Sequence, residues 1–130
     1  MVYVALPESD WTAEERESYR AELQTLSASF GVAFVETDSE QANVTVVRRD
    51  KAGTTIAGHA DPGVAELTVN SLALRQGNYD QHLKQILGHE LGHWLGLEHI
   101  ADGQGMMSPI AITNVPTAMD LAEFHRATGR

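Results

Sequence analysis

The sequence contains no cysteine. That removes a disulfide framework, a thiolate metal site and a thiol nucleophile together. It leaves the compartment open, since cytosolic and secreted proteins alike can lack cysteine. Long apolar runs are also missing, and the longest stretches are far too short for a transmembrane helix. The start, Met1 to Pro7, has no basic residue and no long apolar core, so it does not read as a signal peptide. Basic residues are scarce, with nine Lys and Arg against 18 Asp and Glu, for a formal net charge of −9. A nucleic-acid binder needs a basic stripe to neutralise phosphates, and an anionic membrane surface repels such a chain. The charge itself implies solubility and names no partner.

What is present is ordinary globular material. The chain has 130 residues, 42% hydrophobic and 21% charged, which fits one domain able to hide roughly two-thirds of its unfolded surface. Val2–Leu6, Val32–Val35, Val44–Val47, Thr54–His59 and Glu66–Asn70 read as strands, the fourth weakened by Gly58 and hence an edge. Trp11–Phe30 reads as a helix, with Tyr19, Leu23, Leu26 and Phe30 as its stripe, a Thr12/Glu15 capping box, and Gly31 as its stop. Its charges, Glu14, Glu15, Arg16, Glu17, Arg20 and Glu22, read as a solvated face. Gln81–Leu97 is a second helix, with Leu83, Ile86, Leu87, Leu91 and Leu95 inward. A loop follows over Ala101–Thr113, then a third helix over Thr117–Thr128 with Leu121 and Phe124 inward. Trp11 and Trp94 read as core residues, and His82 and His125 as surface ones. Strand, helix, strand at the start argues for a βαβ unit in a mostly parallel sheet.

The chemistry is concentrated in His89-Glu90-Leu91-Gly92-His93-Trp94-Leu95-Gly96-Leu97-Glu98-His99. Histidines at i and i+4 share one helix face and can reach one ion. Gly96 tolerates the conformation that ends a helix, so the chain can turn and bring His99 back as a third ligand. Three nitrogens and an open position are the donor set of a catalytic zinc. Glu90 stands beside the first ligand, where a general base for the water on the metal belongs. Gly92, costly inside a helix, suits close packing beneath the site.

H-E-x-x-H-x-x-G-x-x-H followed by a methionine turn, here Gly105-Met106-Met107-Ser108-Pro109, resembles the metzincin zinc peptidases, most closely the matrixin type. Asp120-Leu121-Ala122-Glu123-Phe124 through Gly129 is similar to the matrixin C-terminal helix, and Thr54 to Gly63 to its edge strand and Pro-Gly turn. The resemblance implies an α/β (α+β) zincin fold, with a twisted mixed five-stranded sheet, an antiparallel edge strand and three helices. It implies one catalytic domain over 1–130, with an upper part over 1–77, the active-site helix over 78–97 and a lower part over 98–130. It implies Met107 as a floor under the imidazoles and Asp120 as the anchor of the methionine turn. Substrate would lie extended along Thr55, Ile56, Ala57, Gly58 and His59. Pro109, Ile110, Ala111 and Ile112 would line the pocket for the side chain after the cut bond, with an apolar preference. The activity implied is zinc-dependent endopeptidase action on protein or peptide substrates by a monomer with one zinc ion. Secretion is favoured by the resemblance alone. The alternative is a catalytically idle zinc-containing module that grips peptides.

The chain departs from the matrixin pattern in places. Met119 stands where an acid often precedes Asp120, Ile100 follows the third histidine in place of serine, and no tyrosine lies two after Met107. A structural calcium at Asp61, Gly63 and Glu66 lacks enough oxygen ligands, and a second zinc at His59 lacks its usual histidine partners.

Overall fold

The computed structural model describes residues 1–101 and 103–130. Asp102, inside the expected 101–113 loop, lies outside the described residues. The chain opens with β1 (Val2–Ala5), crosses through α1 (Ala13–Phe30) and returns as β2 (Phe34–Thr37). β3 (Val44–Arg48), β4 (Gly58–His59) and β5 (Glu66–Val69) complete a sheet in the order β2-β1-β3-β5-β4. Every neighbouring pair is parallel except β4 with β5, which is antiparallel. Helices α2 (Tyr79–Trp94) and α3 (Ala118–Thr128) follow. The mixed five-stranded sheet, its antiparallel edge and the three helices are as the sequence led us to expect.

Local chemistry sets the boundaries. Thr12 and Glu15 form the reciprocal capping box, with Glu15 N donating to Thr12 Oγ1 at 3.1 Å and Thr12 N to Glu15 Oε1 at 2.9 Å. The helix therefore begins two residues later than its apolar pattern does. Trp11, just outside it, donates its indole N–H to the Val46 carbonyl at 2.9 Å, locking the entry of α1 onto β3. β2 starts two residues late because Val32 is buried with the core, and pairing with β1 begins only at Phe34.

The fourth strand is shorter than its sequence pattern. Only Gly58 and His59 ladder with β5. Residues 54–57 instead run beside Asn70, whose side chain donates to the carbonyls of Lys51 and Ile56 and whose N–H donates to Ala57. Side-chain bonding replaces the ladder there, and regular strand geometry is lost.

The core runs between the sheet and helices α1 and α2, through Val4, Tyr19, Leu26, Val46, Leu67, Leu83, Leu87 and Leu91. α3 joins it through Phe124, stacked on Phe30 with ring centroids 4.6 Å apart. Leu121 and Leu95, expected inside, are only half-buried, as is Trp94, whose indole N–H donates to the Val64 carbonyl at 2.8 Å. Two members of the supposed solvated face of α1 are buried. Glu15 receives the Tyr79 hydroxyl at 2.6 Å, and Glu22 is fully enclosed where α2 crosses α1 at Gly88. Among the described residues no helix is long and apolar enough to cross a membrane.

Candidate metal centre

Helix α2 carries His89 and His93 one turn apart. It stops at Trp94, three residues before the expected end, because Gly96 adopts φ +97° and the Leu97 N–H turns back to the Gly92 carbonyl at 2.9 Å. A side chain at that φ is strained, so glycine is what permits the reversal. The reversal delivers His99. Nε2 of His93 is 3.2 Å from Nε2 of His89 and of His99, and His99 is 3.3 Å from His89.

Three imidazole nitrogens in so tight a triangle could hold one metal ion between them. Nδ1 of His89 faces the Met106 carbonyl at 2.8 Å and Nδ1 of His93 the Leu97 carbonyl at 2.9 Å. A carbonyl only accepts, so those Nδ1 atoms carry the protons and the Nε2 lone pairs point inward. Nitrogens at ~2.0–2.1 Å from a tetrahedral zinc stand about 3.3 Å apart. The three residues therefore fit zinc in donor type and spacing, and His89 and His93 in tautomer as well. Burial pushes His89 down to about 4 and also lowers His93, which keeps both rings neutral and able to ligate.

Glu90 lies beside this triangle, buried, and burial raises its carboxyl to about 7, opposed only by His59. β4 passes close above it: a Cβ added to Gly58 would stand 3.0 Å from Glu90 Cγ and 2.9 Å from the Thr68 carbonyl. Glycine at that position is what allows the edge strand to lie against the carboxylate.

Beneath the triangle runs the turn over Gly105 to Ser108. Asp120, fully buried in the first turn of α3, accepts from Met106 N at 2.7 Å, from Met107 N at 2.9 Å and from Thr117 N at 2.8 Å. Met107 is also fully buried, its sulfur so near Gly92 that a Cβ there would come within 2.3 Å. Met106 is equally buried. Its sulfur packs under Gly88, one helical turn earlier, and its carbonyl orients His89.

An open cleft of ≈ 710 Å³ connects these parts. Thr55, Ile56, Ala57, Gly58 and His59 line one side, with Pro109, Ile110 and Ala111 opposite. Ile112 does not line it; its carbonyl is held by Gln85 Nε2 at 3.2 Å, which turns the residue outward. Ile110 is 77% exposed, so the apolar wall expected there is thin. His59 Nε2 stands 3.0 Å from Asp61 Oδ2 on the exposed edge.

The sequence reading missed Ala73, Arg75, His82 and Ile86, all of which line the cleft. His82, taken as a surface residue, is half-buried and accepts the Arg75 N–H at 3.0 Å. Ile86 and His82 precede His89 by three and seven residues, the spacing of one helix face, and that periodicity could have found them. Arg75 had no such signal.

The family model Peptidase_M43, described as pregnancy-associated plasma protein-A, matches residues 35–118, from β2 through the three histidines and the methionine turn to the start of α3. No curated protein matches the chain.

Proposed function

The chain belongs to the pregnancy-associated plasma protein-A family of peptidases, a metzincin family of zinc metallopeptidases, and from that premise we propose that it is an endopeptidase acting on extended peptides. His89, His93 and His99 hold one zinc ion in this reading, and Glu90 is the general base. The observation that carries it is the convergence of three imidazole nitrogens at 3.2–3.3 Å beside a buried carboxyl in an open cleft.

When zinc is bound, the chemistry available is Lewis-acid polarisation of a carbonyl and acidification of water. The chain's own residues supply the rest. β4 is the last strand of the sheet, so its outer edge is open to an added strand of substrate. Gly58 brings that edge against Glu90, which sets the scissile bond beside the base. Glu90 takes the proton of the attacking water and returns it to the departing amine; a carboxyl near pH 7 suits both transfers. Met107 and Asp120 hold the floor and turn that orient His89. The whole chain acts as one catalytic unit and as a monomer.

The test is Glu90→Ala assayed on an internally quenched peptide mixture with metal analysis alongside. Zinc content should match the wild type and turnover should fall by at least 100-fold. Wild-type turnover in that variant would remove Glu90 from the mechanism. A zinc-loaded wild type that binds peptides and never cuts them would make the chain an idle binding module.

A further inference from the structure

We propose that Arg75 makes the pocket beside the metal ligands selective for an acidic side chain on the residue after the cut bond. The proposal rests on the peptidase reading for the polarity of the bound chain.

From the triangle of nitrogens the cleft follows α2 toward its N-terminus, past Ile86 and His82, and meets Arg75. Two contacts fix that arginine. Its backbone N–H donates to Nδ1 of His82, and its side-chain Nη2 donates to Oε1 of the buried Gln85 at 3.3 Å. Gln85 is itself tied to the Ile112 carbonyl. The guanidinium is therefore held level with Gln85, four residues before His89, about 6 Å along the helix axis.

The remaining arginines make the contrast. Arg16, Arg20, Arg48, Arg49 and Arg126 each reach a carboxylate at 3.7 Å or closer. Among the described residues Arg75 and the terminal Arg130 do not, in a chain where acids outnumber Lys and Arg two to one. Its one side-chain partner is a neutral amide that occupies one of five N–H donors. A guanidinium so held, facing a cleft, has its fork available for a carboxylate. A glutamate side chain has a comparable reach: five bonds from a scissile carbonyl carbon to the carboxyl carbon span about 6 Å. The apolar wall expected from Ile110 and Ile112 does not compete, since one is largely exposed and the other lies outside the cleft.

The experiment uses amidated, internally quenched peptides that differ only in Glu, Gln, Leu or Lys after the cut bond. With zinc-loaded protein, kcat/KM should be about tenfold higher for Glu than for the isosteric Gln. That ratio should fall to near one in Arg75→Gln and be partly kept in Arg75→Lys. Equal rates for the Glu and Gln peptides, or a ratio untouched by Arg75→Gln, overturn the proposal. Fluorescence anisotropy of the same peptides on Glu90→Gln repeats the comparison without turnover. A Glu preference in binding that Arg75→Gln abolishes upholds the site even if no peptide is cut, in which case the endopeptidase reading alone falls. Cleavage or binding without Glu preference sinks the Arg75 site and leaves the peptidase reading standing.

Discussion

Glu22 on α1 and Asn114 in the loop after the methionine turn meet across 92 positions of sequence, with Asn114 Nδ2 donating to Glu22 Oε1 at 2.8 Å. Asn114 also accepts from Gln81 Nε2, so one amide ties both long helices to the cleft-wall loop. The second carboxyl oxygen, Oε2, is buried with no hydrogen-bond partner.

That lone oxygen makes a pH prediction. Burial raises Glu22 from 4.5 to about 8, only partly offset by Asn114 and Lys84. Between those values the folded chain keeps a proton that the unfolded chain has lost, so stability falls as pH rises. The contribution is whole below pH 4.5 and gone above about 8. Glu22→Gln keeps the acceptor for Asn114 and removes the ionisation. Its stability should exceed the wild type at pH 8, by on the order of a few kcal/mol, with the gap closing toward pH 4.5. Urea titrations of the zinc-free protein across that range measure it. A wild-type gap that does not change with pH would mean Glu22 is ionised in the fold.

Asp120 supports a second expectation. Asparagine at 120 would turn an amide N–H₂ toward one of the N–H groups of Met106, Met107 and Thr117 that now bond to the carboxylate. Each buried donor left without an acceptor costs about 1–3 kcal/mol. Because the Met106 carbonyl orients His89, zinc affinity should drop as well, by roughly 10–100-fold. Competition with a chromophoric chelator reads the second effect separately from the thermal midpoint. A loss of stability with zinc affinity intact would detach the turn from the metal site.

These two acids also show what a sequence reveals. The three ligands and the base lie within eleven consecutive positions, so helical period and one glycine suffice to read them. Asp120 sits in a capping pattern at a spacing that a family resemblance makes visible. Glu22 shows no such pattern. It lies among the charges of α1, and only the crossing of α2 at Gly88 encloses it. Arg75 stands between two short 3₁₀ turns, Ser71–Ala73 and Gln76–Asn78, without periodicity, and reaches the cleft only through His82 and Gln85. The strand expected over 54–59 shrinks to Gly58–His59 for a similar reason: Ile56 and Ala57 bond instead to the side chain and N–H of Asn70. Regular periods are legible, whereas contacts made by single side chains across the fold are not.

Gly92 sets a packing prediction. Alanine there would place a Cβ 2.3 Å from the Met107 sulfur, in a site with no exposed surface. Overpacking of this kind costs about 1–3 kcal/mol. Met107→Ala removes the clashing atoms, so Gly92→Ala should cost clearly less in that background, a coupling that a double-mutant cycle reads directly. Additive effects would show that the helix moves rather than the methionine.

Metal should stabilise the fold through the His99 bend. Zinc binds the folded triangle and finds no such arrangement in the unfolded chain, so excess zinc should raise the thermal midpoint; at 100 times the dissociation constant the gain is about 2.7 kcal/mol. His99 is the exposed member of the three and lies beyond the Gly96 reversal, outside the helix that holds the other two. Removing it leaves two nitrogens one turn apart and little apolar packing lost. His99→Ala should therefore unfold near the wild-type temperature without metal, and lose most of the zinc-dependent rise. Scanning calorimetry with and without zinc separates these. A variant that still gains the full shift would place the ion somewhere other than between residues 89, 93 and 99, since two imidazoles on one helix face cannot match the affinity of three.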